Sequence, residues 1–317
     1  MDANSNNPPT NILPPGTSSD QVEEAIKRSG YPLQTVVASQ LQSYFFVAEE
    51  WSFLDRETKS LRALDIFAYK KLDHTLASES GIFPSLVLLV ECKRSELPYI
   101  FFKSASQKDV PEFPSIQALR SDEIFIKSST VSRYFPISDC LGLKEEAFIG
   151  SGPILCTTFS KTVRKGSSLE LSGSDPFNNV VLPLVNAIDH AFAYYKLSHR
   201  QDTYYPKLVL GVCVVDAPMI VADASIAPNT FTLAPWVRIV RHEVKLDVHG
   251  ERVQRHYAVD IVHYGYLKQF IENHVLPFAN VFAERVIKQK YILSDLEGYV
   301  RDIDSWKWEE VSSQPIK

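Results

Sequence analysis

Cysteine is scarce and scattered: Cys92, Cys140, Cys156 and Cys213 stand far apart in 317 residues, with no CxxC, HExxH or His-x-His cluster. That pattern excludes a zinc site of the common kinds and a disulfide framework, and it is what a reduced, cytoplasmic chain shows. Long apolar runs are missing too. None approaches the roughly 20 residues of a membrane helix, and the opening MDANSNNPPTNILPPGTSSD has neither the basic nor the apolar region of an export signal, so no membrane partner is expected. Positive charge is not in excess. With 33 Lys and Arg against 38 Asp and Glu, the net charge of -5 excludes a histone-like grip on nucleic acid, and any hold on phosphate must be local. No GxGxxG follows a strand, GSGP at 150–153 lacks the GKS/T of a phosphate loop, and no serine nucleophile elbow or fixed-period repeat occurs.

What is present is an ordinary globular balance, 45% apolar and 22% charged, in a chain long enough for a large core. Residues 1–19, rich in Asn, Pro, Ser and Thr, read as a disordered leader. Asp20 is placed to cap a helix from Gln21 to Ser29, and a second helix follows, with Pro32 in its first turn and an apolar stripe of Leu33, Val36, Val37 and Leu41. YFFVAEEWSF and LRALDIFAYKK then read as a β-hairpin, and FPSLVLLVECK as a strand covered on both faces. Residues 104–175 read as a loop-rich insertion. DPFNNVVLPLVNAIDHAFAYYKL is a long helix, KLVLGVCVVD and MIVAD a pair of strands, HYAVDIVHY another strand, and YLKQFIENHVLPFANVFAERVIKQK a helix that Pro277 interrupts or kinks. The reading is an α/β (α+β) fold with a central mixed β-sheet flanked by helices. Residues 20–290 form a single domain, and 291–317, with WKWEE, a C-terminal extension.

Chemistry concentrates in one phrase. In VECK, Glu91 and Lys93 are two apart and share one face of a strand, while Cys92 points the other way. Buried charge needs a partner or a metal, and Asp65 on the preceding strand is placed to face this pair. Asp65 and Glu91 offer hard oxygen ligands for Mg²⁺, or Mn²⁺ as a substitute, and the carbonyl of Cys92 can complete the set. Lys93 is placed to orient or deprotonate a water and to stabilise a pentavalent phosphorane-like transition state.

These residues resemble the PD-(D/E)xK, or restriction-endonuclease-like, nuclease superfamily. Asp65 matches the motif's aspartate and Glu91-Cys92-Lys93 its (D/E)xK, 26 positions on; RALDIFA and VECKRSELPYIFF resemble the flanking strands. The resemblance covers residues 20–103 well and 176–270 loosely. It implies a helix, three strands, helix, strand core and a Mg²⁺-dependent nuclease acting on nucleic acid, most simply DNA, with a possible homodimer. The alternative is a catalytically silent binding or interaction module on the same fold. Many members carry a glutamate on the first core helix; here SGYPLQ puts Gln34 in that position, a site residue without charge, which favours one metal over two.

Other residues have two readings each. Arg62 can contact phosphate or simply face solvent at a strand edge, and Lys161, Arg164 and Lys165 can grip a nucleic-acid backbone or form a solvated loop. Glu23 and Glu24 can reach the site or line a solvated helix face. Asn186, Asp189 and His190 can form a proton relay, although a satisfied boundary histidine is the simpler reading. Asp260 reads as structural, and Trp306 and Trp308 pack the tail or stack on bases.

Overall fold

The computed structural model describes residues 7–72, 77–105, 110–173, 175–194, 203–225, 230–246 and 252–316. Helix α1 (Ser19–Arg28) is capped by Ser18, not Asp20. Ser18 Oγ accepts the Gln21 N–H while Gln21 Oε1 accepts the Ser18 N–H, a reciprocal capping box that ends the expected leader two residues early. The leader's first six residues lie outside the described ones. Helix α2 (Tyr31–Gln42) carries Pro32 in its first turn and buries Leu33, Gln34, Val37, Ala38 and Leu41; Val36 faces outward.

The expected hairpin is present as β1 (Phe46–Leu54) and β2 (Leu61–Lys71). Strand β3 (Ser85–Arg94) pairs antiparallel with β2, and β10 (Lys207–Asp216) runs parallel to β3 from Lys207↔Ser85 to Asp216↔Arg94. On its other side β10 takes β14 (Arg252–His263), also parallel. Because β3 is covered on both faces, its apolar run divides by parity. Leu86, Leu88, Val90 and Cys92 enter one core with α2 and the helix Leu276–Lys288, and Val87 and Leu89 enter a second with the helix Leu182–Tyr194.

The sheet continues through β13 (Trp236–Leu246), β8 (Ile154–Lys165), β4 (Tyr99–Lys103), β11 (Met219–Asp223) and β12 (Thr230–Leu233). It cannot be flat. Five strand spacings separate β3 from β4, about 24 Å at about 4.8 Å each, yet residues 95–98 span at most about 18 Å. From β10 to β11 only Ala217 and Pro218 intervene, so the sheet curls until β11 begins near the end of β10. The second core fills the hollow, bringing Val87 of β3 together with Phe101 of β4 and Val221 of β11. MIVAD therefore does not pair with KLVLGVCVVD as expected; its partners are β4 and β12.

Residues 104–175 are not a loop-rich insertion. They supply β5 (Ser115–Gln117), β6 (Glu123–Lys127), β7 (Ser132–Pro136), the 12-residue β8 and β9 (Ser168–Leu171). The tail is not peripheral either: β15 (Glu297–Tyr299) pairs with β6, and Val300, Ile303, Trp308 and Val311 are buried. Gly142, at φ +62°, admits the Trp308 ring where a Cβ would lie 2.1 Å from it, and the Arg285 guanidinium covers that ring at 4.5 Å. Trp306 lies 5.4 Å from Phe135. Both tryptophans pack the tail down. Before Pro277 the helix passes through a π turn, Ile271–Val275, and the same arrangement, Phe177–Val181, precedes Pro183. A wider turn lets the chain accommodate the missing N–H without breaking. Among the described residues, no helix is long and apolar enough to cross a membrane.

Candidate active site

The hairpin bends where the acids are. Leu64 and Ile66, two apart on β2, should face the same side, yet Leu64 enters the second core and Ile66 the first. Asp65 sits at the reversal. The β1–β2 ladder steps from Glu49↔Ile66 to Trp51↔Leu64, and the β2–β3 ladder stops at Ile66↔Val90. Continued by one residue, these registers set Asp65 opposite Glu50 on one side and Glu91 on the other. Glu50 adopts φ +52°, a left-handed conformation that costs a non-glycine residue about 1–2 kcal/mol and that often marks a functional position. Beyond the bend, Trp51 and Phe53 lie 5.9 and 5.6 Å from the His190 ring on the helix Leu182–Tyr194. Packing of these rings, with Phe53 buried, holds the bend in place.

Asp65 replaces the lost ladder with its side chain. Its Oδ2 accepts the Cys92 N–H at 2.6 Å, fixing the carboxylate against β3 beside Glu91. Lys93 Nζ donates to Glu91 Oε1 at 2.5 Å, while Glu91 Oε2 is buried with no hydrogen-bond partner among the described residues. Burial, reinforced by the Asp65 charge, pushes the Glu91 carboxyl up to about 7; Lys93 offsets part of this. Burial also raises Asp65, with a further push from Glu50, against the Cys92 N–H and Lys93. For Lys93, burial works downward, but Glu91 and Asp65 outweigh it and hold the ammonium above its ordinary value. Lys93 is a resident cation, so it suits steering and charge stabilisation rather than proton abstraction.

Two crowded carboxylates and an unsatisfied buried oxygen fit a hard divalent cation. Asp65 and Glu91 would hold it, with main-chain oxygen and water, since among the described residues no three His, Cys, Asp or Glu side chains form a ligand cluster. Cys92 can contribute only through its main chain, because burial raises its thiol, which lies in the opposite core.

The raised Glu91 carboxyl has a pH consequence. Unfolded, it titrates near 4.5; folded, near 7, so the native state binds the extra proton between these values. Its contribution is fully present below about pH 4.5 and is lost as pH rises through about 7, on the order of 3 kcal/mol. Without divalent metal, Glu91→Gln should therefore gain in melting temperature over the wild type as pH goes from 5 to 8. A constant difference across that range would overturn the assignment.

Gln34 reaches the site. It is 6% exposed, and its Nε2 donates to Glu50 Oε1 at 2.9 Å and to the Asp65 carbonyl at 3.1 Å, so it holds the bent hairpin against α2. Gln34→Glu would set an acceptor against both oxygens, at a cost of roughly 1–3 kcal/mol. Melting in chelator should fall accordingly, and Mn²⁺ should restore more of it than in the wild type; equal Mn²⁺ shifts would argue against a nearby metal.

The other expected contacts do not gather here. Arg62 Nε is held by the buried Asp55 at 2.7 Å, in a network that runs through Asn186 to Lys245, so it fastens the hairpin turn. Lys161, Arg164 and Lys165 lie on β8, where Lys161 stands opposite Tyr99 of β4 and Lys165 pairs with Glu170 at 3.3 Å. Glu23 and Glu24 pair with Lys27 and Arg28 on the exposed face of α1. Asp189 faces Arg56 at 3.6 Å and His190 Nδ1 meets the Leu54 carbonyl at 3.1 Å, which makes no relay. Asp260 is structural, paired with Arg238 in the core. Glu50 was missed by sequence reasoning; its signal was the acidic pair Glu49-Glu50 inside an otherwise strand-like aromatic run.

Two of the cavities among the described residues border the sheet. One of about 800 Å³ lies by the amino end of β10, with Gln117, Asp189 and Tyr257 among its walls. The other, about 580 Å³, opens at the carboxyl ends of β3, β10 and β14, with Arg94 and Ser95 directly after the Glu91-Cys92-Lys93 triplet. No family model, no curated protein and no solved structure matches this chain.

Proposed function

We propose that the chain is a Mg²⁺-dependent nuclease of the PD-(D/E)xK kind, hydrolysing phosphodiester bonds of nucleic acid, with DNA the first substrate to test. The observation that carries this reading is the convergence of Asp65, Glu91 and Lys93 where the β1–β2–β3 ladder breaks, with one Glu91 oxygen buried and unsatisfied. The run α2, β1, β2, β3 and, after the intervening β4 to β9, the helix Leu182–Tyr194 and β10, with β10 parallel to β3, supports it as well.

A bound divalent cation supplies charge stabilisation on the phosphoryl oxygens and a water acidic enough to attack at neutral pH. The chain's own residues do the rest. Asp65 and Glu91 provide the carboxylate ligands, and the Cys92 N–H fixes the rotamer of Asp65. Lys93, held beside Glu91, would donate toward the attacked phosphoryl group and oppose the charge growing there. Gln34 keeps Glu50 and the Asp65 main chain in register. In the test, purified protein nicks plasmid or degrades single strands with Mg²⁺ or Mn²⁺ and not in chelator. No metal-dependent cleavage of duplex, single-stranded, branched or RNA substrates would overturn it.

The Lys93–Glu91 ion pair and the neutral Gln34 favour a second reading, a silent module in which Lys93 substitutes for the cation. Calorimetry separates the two: Mn²⁺ binding that disappears in Asp65→Ala belongs to the nuclease.

A further inference from the structure

Resting on the nuclease reading, we infer that the cavity at the carboxyl ends of β3, β10 and β14 holds an unstacked base of the substrate strand, so that the site acts on single-stranded or frayed nucleic acid in preference to closed duplex. Three neighbouring parallel strands end together here, at Arg94, Asp216 and His263, and crevices outside the carboxyl ends of parallel strands are where α/β sheets take ligands. The cavity is joined to the proposed cleavage centre by the chain itself. Arg94, Ser95 and Glu96 directly follow Lys93, and Asp216 lies three residues, about 10 Å, beyond Cys213, which pairs with Glu91. A strand whose phosphate meets Lys93 places a neighbouring nucleotide at this opening.

The lining has the chemistry of a base pocket. Ala217, Pro218, Met219, Leu233, Ala234 and Pro235 make apolar walls, and about 580 Å³ is in the range of small-ligand sites. Flat apolar walls with a few polar groups at the rim are how extruded bases are held. At the rim, Arg94 Nε pairs with the partly exposed Asp216 at 3.3 Å while its Nη1 donates to the Lys27 carbonyl at 2.6 Å. The guanidinium is thus held at the opening with Nη2 as a donor for a base edge or the adjoining phosphate and Asp216 as an acceptor. His263 Nδ1 accepts the Gly265 N–H at 3.1 Å, which leaves the proton of the neutral ring on Nε2 as a further donor. A paired, stacked base cannot enter such a pocket; an unpaired one enters without the cost of opening the duplex.

The test uses the full-length Lys93→Ala protein, with Mn²⁺ and in chelator, and an oligonucleotide carrying the fluorescent base 2-aminopurine, either single-stranded or in a blunt duplex. The single strand should bind about tenfold more tightly, with a change in 2-aminopurine fluorescence. Filling the cavity with Ala234→Trp should lower single-strand affinity about tenfold, near 1.4 kcal/mol, and leave Mn²⁺ binding unchanged. Ala217→Val, a smaller filling, should do the same in lesser degree should the tryptophan variant fail to fold. Equal affinity for duplex, or wild-type single-strand binding in the filled variants, overturns the inference. Intact Mn²⁺ binding and wild-type cleavage beside that result leave the nuclease reading standing. A single-strand preference lost on filling, in a protein that binds no Mn²⁺ and cuts nothing, removes the nuclease reading and keeps the pocket.

Discussion

Lys93→Ala is expected to lower metal-dependent cleavage by about 10²–10⁴-fold, the span seen when one group that stabilises or serves a charged transition state is removed. The side chain can be lost without collapse, because the Glu91 carboxyl it faces is already raised by burial and becomes neutral when its partner goes. That compensation gives the prediction a second readout. With the ammonium absent, the Glu91 pKa climbs further, so Mn²⁺ affinity should fall near pH 7 and recover toward pH 8.5, and the acid limb of any residual cleavage should move to higher pH. A Lys93 that only balances charge would produce the affinity shift with cleavage restored at high pH. One that acts in the transition state leaves the rate low even at saturating metal. Single-turnover cleavage across pH 6–9, beside calorimetry on the same samples, reads both.

The largest effect on stability is expected at Asp260. Its carboxylate meets Arg238 in two hydrogen bonds, Nε to Oδ1 at 2.9 Å and Nη2 to Oδ2 at 3.1 Å, and accepts Trp236 Nε1 at 2.8 Å. Arg238 is 0% exposed, lies 4.4 and 4.6 Å from the Phe113 and Phe148 rings, and donates its remaining Nη1 to the Phe148 carbonyl. Asp260→Ala leaves that guanidinium buried and uncompensated, so urea denaturation should show a loss of about 3–5 kcal/mol, a large part of the stability of a typical domain. Arg238→Met combined with Asp260→Leu removes both charges and should recover most of it. A loss under about 1 kcal/mol in the single variant would mean that the pair is not closed to water.

Legibility in the sequence followed the range of the interactions involved. β3 was readable because burial on both faces requires an uninterrupted apolar run, and α2 and the hairpin because their side-chain periods are local. β8 and β13 were not seen as strands. ILCTTFSKTVRK is mostly polar or half-exposed, and WVRIVRHEVKL places Arg238 and Lys245 at buried positions where charge normally reads as solvent. Their partners, Asp260, Asn186 and Glu57, are far away in the chain, and nothing local announces them. Ser18 escaped for a smaller reason: Ser18 and Asp20 both suit a helix cap, and the return bond from Gln21 decided between them.

The candidate site divides in the same way. By itself the sequence determined that Glu91 and Lys93 share a strand face opposite Cys92, since alternation along a strand is a property of two residues and no more. It determined Asp65 as the acid of the preceding strand. Only the tertiary structure decided that the hairpin reverses its parity at Asp65, that Glu50 takes a left-handed conformation to allow it, and that Gln34 ties the two together. Tertiary packing also set Arg62 Nε against Asp55 and put Lys161, Arg164 and Lys165 on β8, beside β4. The physical reason is that spacing fixes which face a side chain takes, whereas the partner across that face is set by burial and strand order, through contacts tens to hundreds of residues apart.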